Sequence, residues 1–349
     1  MSYIPSQNTP SQVFDALKRP KSPICMIDDR LDFDAFCSAL TMRHMLLRDY
    51  NISLRLTYLS TIPEYFTKIL LAYVDPTDIE VEKSPTEIDF SKHDVVLFLD
   101  SAEKLKPANF SKFEIPENIP TINIDHHMAS NPCFGSLNIV RDVPSTCSLL
   151  YEIFSEAAIV IDKHMAQLLL LGILDDTQVF TISGVRPKDL ETASDLLKTA
   201  GLEMFDIVRN LTWSVPIDLV KLNKIVYEHL TVDYEQKVAY SYVLLSDMKK
   251  QGVDPSFSTN LSPADELKRI DGIDVAFLIK EKSNEQGIYS ISFRSRNPLY
   301  NVSDIASSFG GGGHSMASGG IMRGVESMDQ AIENILGVIS AYRLAHKAE

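Results

Sequence analysis

The sequence predicts an α/β fold: an N-terminal parallel-sheet domain with helices on both faces, followed by a smaller C-terminal α+β domain. Short apolar runs alternate with helical patterns over the first two thirds of the chain, and most of these runs end in an aspartate. The last third places strand-like runs beside a glycine-rich segment. At 349 residues the chain exceeds the usual size of one domain, so two domains of unequal size are expected.

The strand-like runs of the first two thirds are SPICMID, SLRLTYLS, DVVLFLD and TINID. Helical patterns begin near Asp34, recur in PEYFTKILLAYV, and dominate from about residue 143 to residue 211. This alternation is typical of βαβ units on a buried parallel sheet. Ligands bind beyond the carboxyl ends of such strands, so we expect Asp28, Asp100 and Asp125 to converge on one crevice.

The stretch PIDLVKLNKIVYEHL is helical and predicts a connector at residues 216–232, with domains at residues 1–215 and 233–349. Beyond the connector, the strand-like runs are KVAYSYVLLS, VAFLIKEKS and IYSISFRSR, with a helix after Tyr300 and another from about Met328. This predicts the smaller α+β domain. The cleft between the domains is the expected place for a substrate.

Charge and composition exclude several classes of function. The formal net charge of −14 argues against binding to long duplex nucleic acid, because such binding needs many lysine and arginine contacts with phosphates. A small anionic substrate needs only local positive charge. No apolar run is long enough to cross a bilayer, and the N-terminus lacks the pattern of a secretory signal, so we expect no membrane association and a cytoplasmic protein.

Acidic and histidine side chains close several of the predicted elements. They are Asp28, Asp32, Asp34, Asp100, Asp125, His126, His127 and Asp176. Aspartates that close apolar runs need a cation, an arginine or a helix N-terminus to satisfy them, and several together favour a metal. Oxygen ligands mixed with imidazole suit manganese first, with magnesium or cobalt as alternatives. Taken singly, each aspartate is equally explained as a cap, and Asp34 in particular as the N-cap of its helix.

A second signal is the run RSR, with Arg294 and Arg296, followed by FGGGGHSMASGG, which holds Gly311, Gly312, Gly313 and His314. A glycine run before a helix exposes backbone N–H groups that can cradle a phosphate, and the arginines and histidine add donors. By itself the run is equally typical of a flexible turn or of close backbone packing.

At these residues the sequence resembles the DHH superfamily of phosphoesterases, named for the motif at residues 125–127, with a C-terminal DHHA1 domain whose GGGH motif lies at residues 311–314. The resemblance covers nearly the whole chain, and the motifs occur in family order. Within the superfamily, the chain is most similar to the nanoRNase and pAp-phosphatase branch. This implies hydrolysis of short single-stranded oligonucleotides or of 3′-phosphoadenosine 5′-phosphate.

The resemblance also implies a role for each matching residue. Two divalent metal ions would be held, one by Asp28, Asp32 and Asp100, the other by Asp34, Asp100, His126 and Asp176. His127, with Asp125, would act on the substrate phosphate or the leaving group. The remote phosphate or nucleotide would be held by Arg294, Arg296, Gly311, Gly312, Gly313 and His314.

One position departs from the family pattern, because Asp28 stands where the motif has a histidine. The five aspartate ligands then carry five negative charges against four positive charges on two divalent ions. This departure motivates one alternative, a nucleotide sensor with impaired catalysis. Another is a different phosphohydrolase of the superfamily, acting on a pyrophosphate-like or linear dinucleotide substrate. A third is a non-catalytic assembly protein, in which five aspartates and the DHH motif would have no evident purpose. Whether the chain forms a homodimer is also left open.

Overall fold

The computed structural model describes residues 7–27, 32–58, 62, 64–75, 82–83, 88–101, 115–127, 135–182, 184–213, 215–255, 257, 262–282 and 287–346. The chain divides into two compact units, Met1–Ser214 and Val215–Glu349, and each is described here by itself. In the described part of the chain, no helix combines the length and apolar character needed to cross a membrane.

The first unit is built on a sheet of six parallel strands in the order β3-β2-β1-β4-β5-β6. The strands are β1 (Pro23–Ile27), β2 (Arg55–Tyr58), β3 (Glu82–Lys83), β4 (Val95–Leu99), β5 (Thr121–Asp125) and β6 (Leu137–Val140). The strand order reverses between β1 and β4, which are direct neighbours. A reversal of this kind opens a crevice at the carboxyl ends of the two strands.

Seven described helices belong to this unit: α1 (Pro10–Leu17), α2 (Phe33–Tyr50), α3 (Glu64–Leu70), α4 (Thr146–Glu156), α5 (Lys163–Asp176), α6 (Pro187–Ala200) and α7 (Met204–Trp213). Their apolar side chains form one large core with every second residue of β1 and β4, including Cys25, Ile27, Leu97 and Leu99. The intervening strand residues pack on the opposite face of the sheet, beside a short 3-10 turn at Phe90–Lys92. Both faces of these strands are buried, which explains their unbroken apolar sequences.

The second unit holds a mixed six-stranded sheet in the order β11-β12-β10-β9-β8-β7. Its strands are β7 (Thr231–Asp233), β8 (Val238–Val243), β9 (Val275–Glu281), β10 (Tyr289–Ser295), β11 (Gly312–His314) and β12 (Ala317–Met322). Among the described strands of this second sheet, β8 and β9 pair in parallel and the other pairs are antiparallel.

Helices cover both faces of this second sheet. They are α8 (Ile217–Glu228), α9 (Leu245–Gln251), α10 (Ala264–Leu267), α11 (Val302–Ser307) and α12 (Met328–Ala345). Side chains of α8, α9 and α10 pack on one face. Side chains of α11 and α12 pack on the other. The unit therefore has its own two-sided core.

The predicted fold class is confirmed: an α/β unit with a parallel sheet is followed by a smaller unit with a mixed sheet. One local expectation was wrong. The glycine run was expected to precede a helix, but it follows α11 and enters β11, which pairs with β12 through Gly312, Gly313 and His314. The reason is the close approach of two backbones there. A Cβ on Gly311 would lie 1.9 Å from the carbonyl oxygen of Gly319.

Candidate active site at the carboxyl edge of the parallel sheet

Helix α2 brings two of the predicted aspartates to the edge of the sheet. The N-cap of this helix is Asp32, not Asp34, because the Asp32 carboxylate accepts a hydrogen bond of 2.8 Å from the backbone N–H of Ala35. Asp34 lies within the first turn and is completely buried. The side chain of Asp34 therefore does not cap its own helix.

The carboxylate of Asp34 lies instead at the N-terminus of α4. It accepts hydrogen bonds from the backbone N–H groups of Thr146, at 2.6 Å, and Cys147, at 2.9 Å. Burial, followed by the nearby charge of Asp100, raises the pKa of Asp34 to about 6.

Asp100 follows β4 directly, at the reversal of strand order, and its φ of +56° lies in the left-handed region. Aspartate is one of the few residues other than glycine that adopt this conformation readily. The side chain is buried, and its Oδ1 accepts a hydrogen bond of 3.0 Å from the hydroxyl of Thr146. Burial alone would raise the pKa of Asp100, but the hydrogen bond from His126 and the charge of His127 bring this pKa below its ordinary value.

The two adjacent histidines at the end of β5 have different partners. Nδ1 of His126 donates to the carbonyl oxygen of Val143 at 3.0 Å, while its Nε2 lies 3.2 Å from Asp100 and 3.4 Å from Asp176. Nδ1 of His127 lies 2.8 Å from the Asp125 carboxylate, which also accepts the backbone N–H of His127. Burial lowers the pKa of His126, but the neighbouring carboxylates raise it well above its ordinary value.

Two overlapping groups of side chains could hold a cation. Within each group, the available ligand atoms all lie within 4.8 Å of one another. One group comprises Asp100, Asp125, His126 and His127, and the other comprises Asp34, His126 and Asp176. These donors are carboxylate oxygens and imidazole nitrogens, the set that suits manganese and related divalent ions.

The balance of charge at the site also favours a cation. Burial and neighbouring carboxylates raise the pKa of Asp32 and of Asp176 well above the ordinary value, because each would otherwise be an ionised group close to others of the same sign. Among the described residues, Oδ2 of Asp125 is buried without a hydrogen-bond partner. A buried, unpaired carboxylate oxygen is costly, and a bound cation would relieve that cost.

Sequence reasoning missed two residues at this site. Asp175 is a partly buried neighbour of Asp176, and its carboxylate accepts the backbone N–H of Phe33 at 3.0 Å. Burial raises its pKa to about 6. Thr146 contacts Asp34 through its amide and Asp100 through its hydroxyl. The doubled aspartate in GILDD was a usable signal for the first, whereas the sequence around Thr146 gave none.

The remaining predicted site residues are Asp28 and the arginines, glycines and histidine of the second unit. Asp28 lies outside the described residues, and so does the side chain of His314. Arg294 is largely buried and binds Asp265 in a two-pronged ion pair, with Nε at 2.8 Å and Nη2 at 3.3 Å. Arg296 is half exposed, donates a hydrogen bond of 3.3 Å to the carbonyl oxygen of Ile270, and lies 3.8 Å from the carboxylate of Asp271.

The glycines of the second unit have different surroundings. Gly311 leaves no room for a side chain, as described above, and Gly313 has a φ of +144° with the carbonyl oxygen of Ala317 only 2.8 Å from where its Cβ would lie. Gly312 is exposed and faces open space. Gly311 and Gly313 are exposed as well, so the backbone of the run is accessible at all three glycines.

Comparison with known proteins gives two matching families. The sequence model of the DHH family, N-terminal domain, matches residues 23–173, and that of the DHHA1 domain matches residues 235–341. Together they span both units of the structure.

Curated relatives and a solved structure agree with these matches. The chain is 24% identical over 225 residues to the bifunctional oligoribonuclease and PAP phosphatase NrnA of Bacillus subtilis, covering 63% of this chain and 68% of the relative. It is 27% identical over 269 residues to the protein of the same name from Thermus thermophilus, covering 76% and 74%. The crystal structure of an exopolyphosphatase-related protein from Bacteroides fragilis superposes with a TM-score of 0.79 at 19% identity, covering 97% of each chain, which shows a common fold.

Proposed function

We propose that this chain, which belongs to the DHH family of phosphoesterases and carries a DHHA1 domain, hydrolyses short single-stranded oligonucleotides, 3′-phosphoadenosine 5′-phosphate, or both. The observation that carries the proposal is the cluster of the buried Asp34 and Asp100 with the partly buried His126 and Asp176, and with His127 beside it. Two relatives are named oligoribonuclease and PAP phosphatase, which supports this choice of substrate.

Two divalent cations, manganese first and magnesium or cobalt as alternatives, fit the donor set of the first unit. We assign Asp34, His126 and Asp176 to one cation, Asp28 and Asp32 to the other, and Asp100 to both. When bound, the two cations supply Lewis-acid activation of a water molecule and neutralise charge on the phosphoryl group. His126 is suited to its role because its Nδ1–H is held by Val143, which leaves Nε2 as the ligand atom.

His127 and Asp125 supply proton transfer in this proposal. Asp125 accepts the Nδ1–H of His127 and so orients the imidazole, as an acceptor behind a general acid does. His127 would donate a proton from Nε2 to the leaving-group oxygen of the phosphoester. Its raised pKa, which follows from its hydrogen bond with Asp125 despite burial, keeps this proton available near neutral pH.

The second unit would hold the remainder of the substrate. Gly312 offers an exposed backbone and Arg296 a half-exposed guanidinium, both suited to a phosphate or a nucleotide. We include Arg294, Gly311, Gly313 and His314 in this surface. We place the domain boundary within residues 216–232, so that residues 1–215 supply the chemistry and residues 233–349 the substrate contacts.

A second candidate is a nucleotide-binding protein with impaired catalysis. Two observations favour it: Asp28 replaces a family histidine, and Arg294 is already engaged by Asp265. Such a protein would bind nucleotide and cation without turnover.

One experiment separates the two candidates. The purified protein is incubated with manganese, and phosphate release from 3′-phosphoadenosine 5′-phosphate is compared with mononucleotide release from a dinucleotide. A double variant, Asp125→Ala with His126→Ala, runs alongside. Turnover that the double variant loses supports the phosphoesterase and identifies its substrate. Nucleotide binding without turnover under manganese, magnesium and cobalt would establish the binding protein instead.

A further inference from the structure

The N-terminus of α4 holds two of the buried carboxylates at the candidate cation site. The backbone N–H groups of Thr146 and Cys147 donate to the two oxygens of Asp34, one each. The hydroxyl of Thr146 donates to Oδ1 of Asp100. One residue of α4 therefore contacts an aspartate from α2 and an aspartate from the end of β4.

The hydroxyl of Thr146 is not needed to cap α4. The N-cap of the helix is Ser145, whose hydroxyl accepts the backbone N–H of Ser148 at 2.9 Å. The Thr146 hydroxyl follows the cap and accepts no hydrogen bond from the helix among the described contacts. It is completely buried and donates towards Asp100. Its only described partner as a donor is a carboxylate of the site.

A fixed carboxylate is a better ligand than a mobile one. The same Oδ1 of Asp100 lies 3.2 Å from Nε2 of His126, so its position decides the spacing between two assigned ligands. Hydrogen bonds that orient metal-ligating side chains contribute substantially to metal affinity. Thr146 supplies such a bond, and the amides of α4 supply two more to Asp34.

We propose that Thr146 is a positioning residue, whose hydroxyl fixes the carboxylate of Asp100 while the backbone of α4 fixes Asp34, so that both aspartates are preorganised for a divalent cation. The inference rests on the proposed function in one respect only, namely that these aspartates bind the cation.

The test is the affinity of the full-length protein for Mn²⁺, measured by isothermal titration calorimetry. In Thr146→Val, which keeps the shape of the side chain and removes its hydroxyl, we expect Mn²⁺ to bind about 10- to 100-fold more weakly. Thr146→Ser restores the hydroxyl and should return the affinity close to that of the unmutated protein. Thr41→Val is the matched control, because Thr41 is completely buried in α2 and its hydroxyl has no partner among the described residues.

The melting temperature of each metal-free variant shows whether folding is affected. If Thr146→Val does not fold, Thr146→Ala removes the same hydroxyl without placing a methyl group beside Asp100 and takes its place in the comparison. Equal Mn²⁺ affinity in the unmutated protein and in the variant without the hydroxyl would overturn the inference while leaving the proposed function intact. Weakened binding that serine does not restore would also overturn it. If the unmutated protein itself binds no Mn²⁺, the cation site and this inference fail together.

Discussion

At the scale of single residues, the proposed proton transfer depends on the contact between Asp125 and His127. Asp125→Asn removes the negative charge behind the imidazole while keeping an oxygen that can accept from Nδ1. We expect kcat for the preferred substrate to fall by about 10- to 100-fold at saturating Mn²⁺. Mn²⁺ affinity, measured on the same preparation, identifies any part of the loss that comes from the metal. An unchanged kcat would remove Asp125 from the proposed proton transfer.

Arg294 and Arg296 are near neighbours in sequence but should respond differently to the same substitution. Arg294→Lys loses the two-pronged contact with Asp265 in a largely buried position, so we expect a loss of roughly 1–2 kcal/mol in the free energy of unfolding. Arg296→Lys changes a half-exposed side chain and should leave that free energy unchanged while raising KM. Urea denaturation and steady-state kinetics of both variants check this. Equal unfolding free energies would contradict the structural role of Arg294.

The aspartates of the site could be predicted from sequence because they close apolar runs, and an ionised group in that position needs a partner. Their actual partners could not. Asp34 contacts Thr146 across 112 residues of sequence, and no local pattern relates the two. The alternative that Asp34 caps its own helix was wrong because Asp32 and Asp34 both lie near the start of α2, and only the structure shows that Asp32 supplies the cap.

At the scale of elements, Gly172 explains how α5 can lie so close to α2 and α4. A Cβ at this position would lie 2.4 Å from Sγ of Cys147 and 3.1 Å from Oδ1 of Asp34. We therefore expect Gly172→Ala to destabilise the protein by about 1–3 kcal/mol, although alanine favours helix, because overpacking prevails. It should also weaken Mn²⁺ binding by displacing Asp34.

Gly337, in α12, is the matched control for this substitution. No atom lies within 4 Å of its missing Cβ, so Gly337→Ala should be neutral or stabilising. Thermal unfolding of both variants decides the matter. If Gly172→Ala is as stable as Gly337→Ala, the close approach of the three helices does not depend on glycine.

At the N-terminus of α5, the opposite end of this helix from Asp176, an ion-paired aspartate has a lowered pKa. Asp162 is the N-cap of this helix and contacts His44 at 2.8 Å and Arg48 at 2.6 Å. Burial alone would raise the pKa of Asp162, but the N–H of Met165 and the two basic side chains lower it to about 2. Because the folded pKa lies below the ordinary value of 3.8, the resulting stability is present above about pH 4 and is lost as the pH falls towards 2.

Asp162→Asn keeps a good N-cap and removes only the charge. The variant should be less stable than the unmutated protein at pH 7, and the difference in urea midpoint should shrink as the pH falls from about 4 to about 2. A difference that is constant over this range would show that the pairing with His44 and Arg48 does not stabilise the fold through charge.

Elements were predictable where their sequence is long and strongly patterned. The runs that became β1 and β4 are continuous and apolar because both faces of these strands are buried. The short strand β11 could not be predicted, because glycines carry no alternation of polar and apolar side chains and their pairing depends on β12. Tertiary contact, not local preference, determines that element.

At the scale of the whole molecule, the buried carboxylates of the first unit should couple folding to the cation. In the proposed function, Mn²⁺ would bind the assembled site and not the unfolded chain, so it should raise the melting temperature. The added stability is about 2.7 kcal/mol when free Mn²⁺ is 100 times its Kd. EDTA should reverse the shift. His126→Ala, which removes an assigned ligand, should have a much smaller shift, and an equal shift in that variant would place the cation elsewhere.

The reversal of strand order between β1 and β4 also determines the stage of folding at which this site forms. Asp34 follows β1, whereas Asp100 follows β4, and α4, which contacts both, lies further along the chain. Residues 28–34 supply three of the six assigned ligands, but Asp100, His126 and Asp176 come from distant parts of the chain, and contacts so distant in sequence form late because long loops must close first. A partly folded chain should therefore have little affinity for Mn²⁺. The ion would then stabilise the folded state without initiating folding. Manganese should slow unfolding of the first unit far more than it accelerates folding.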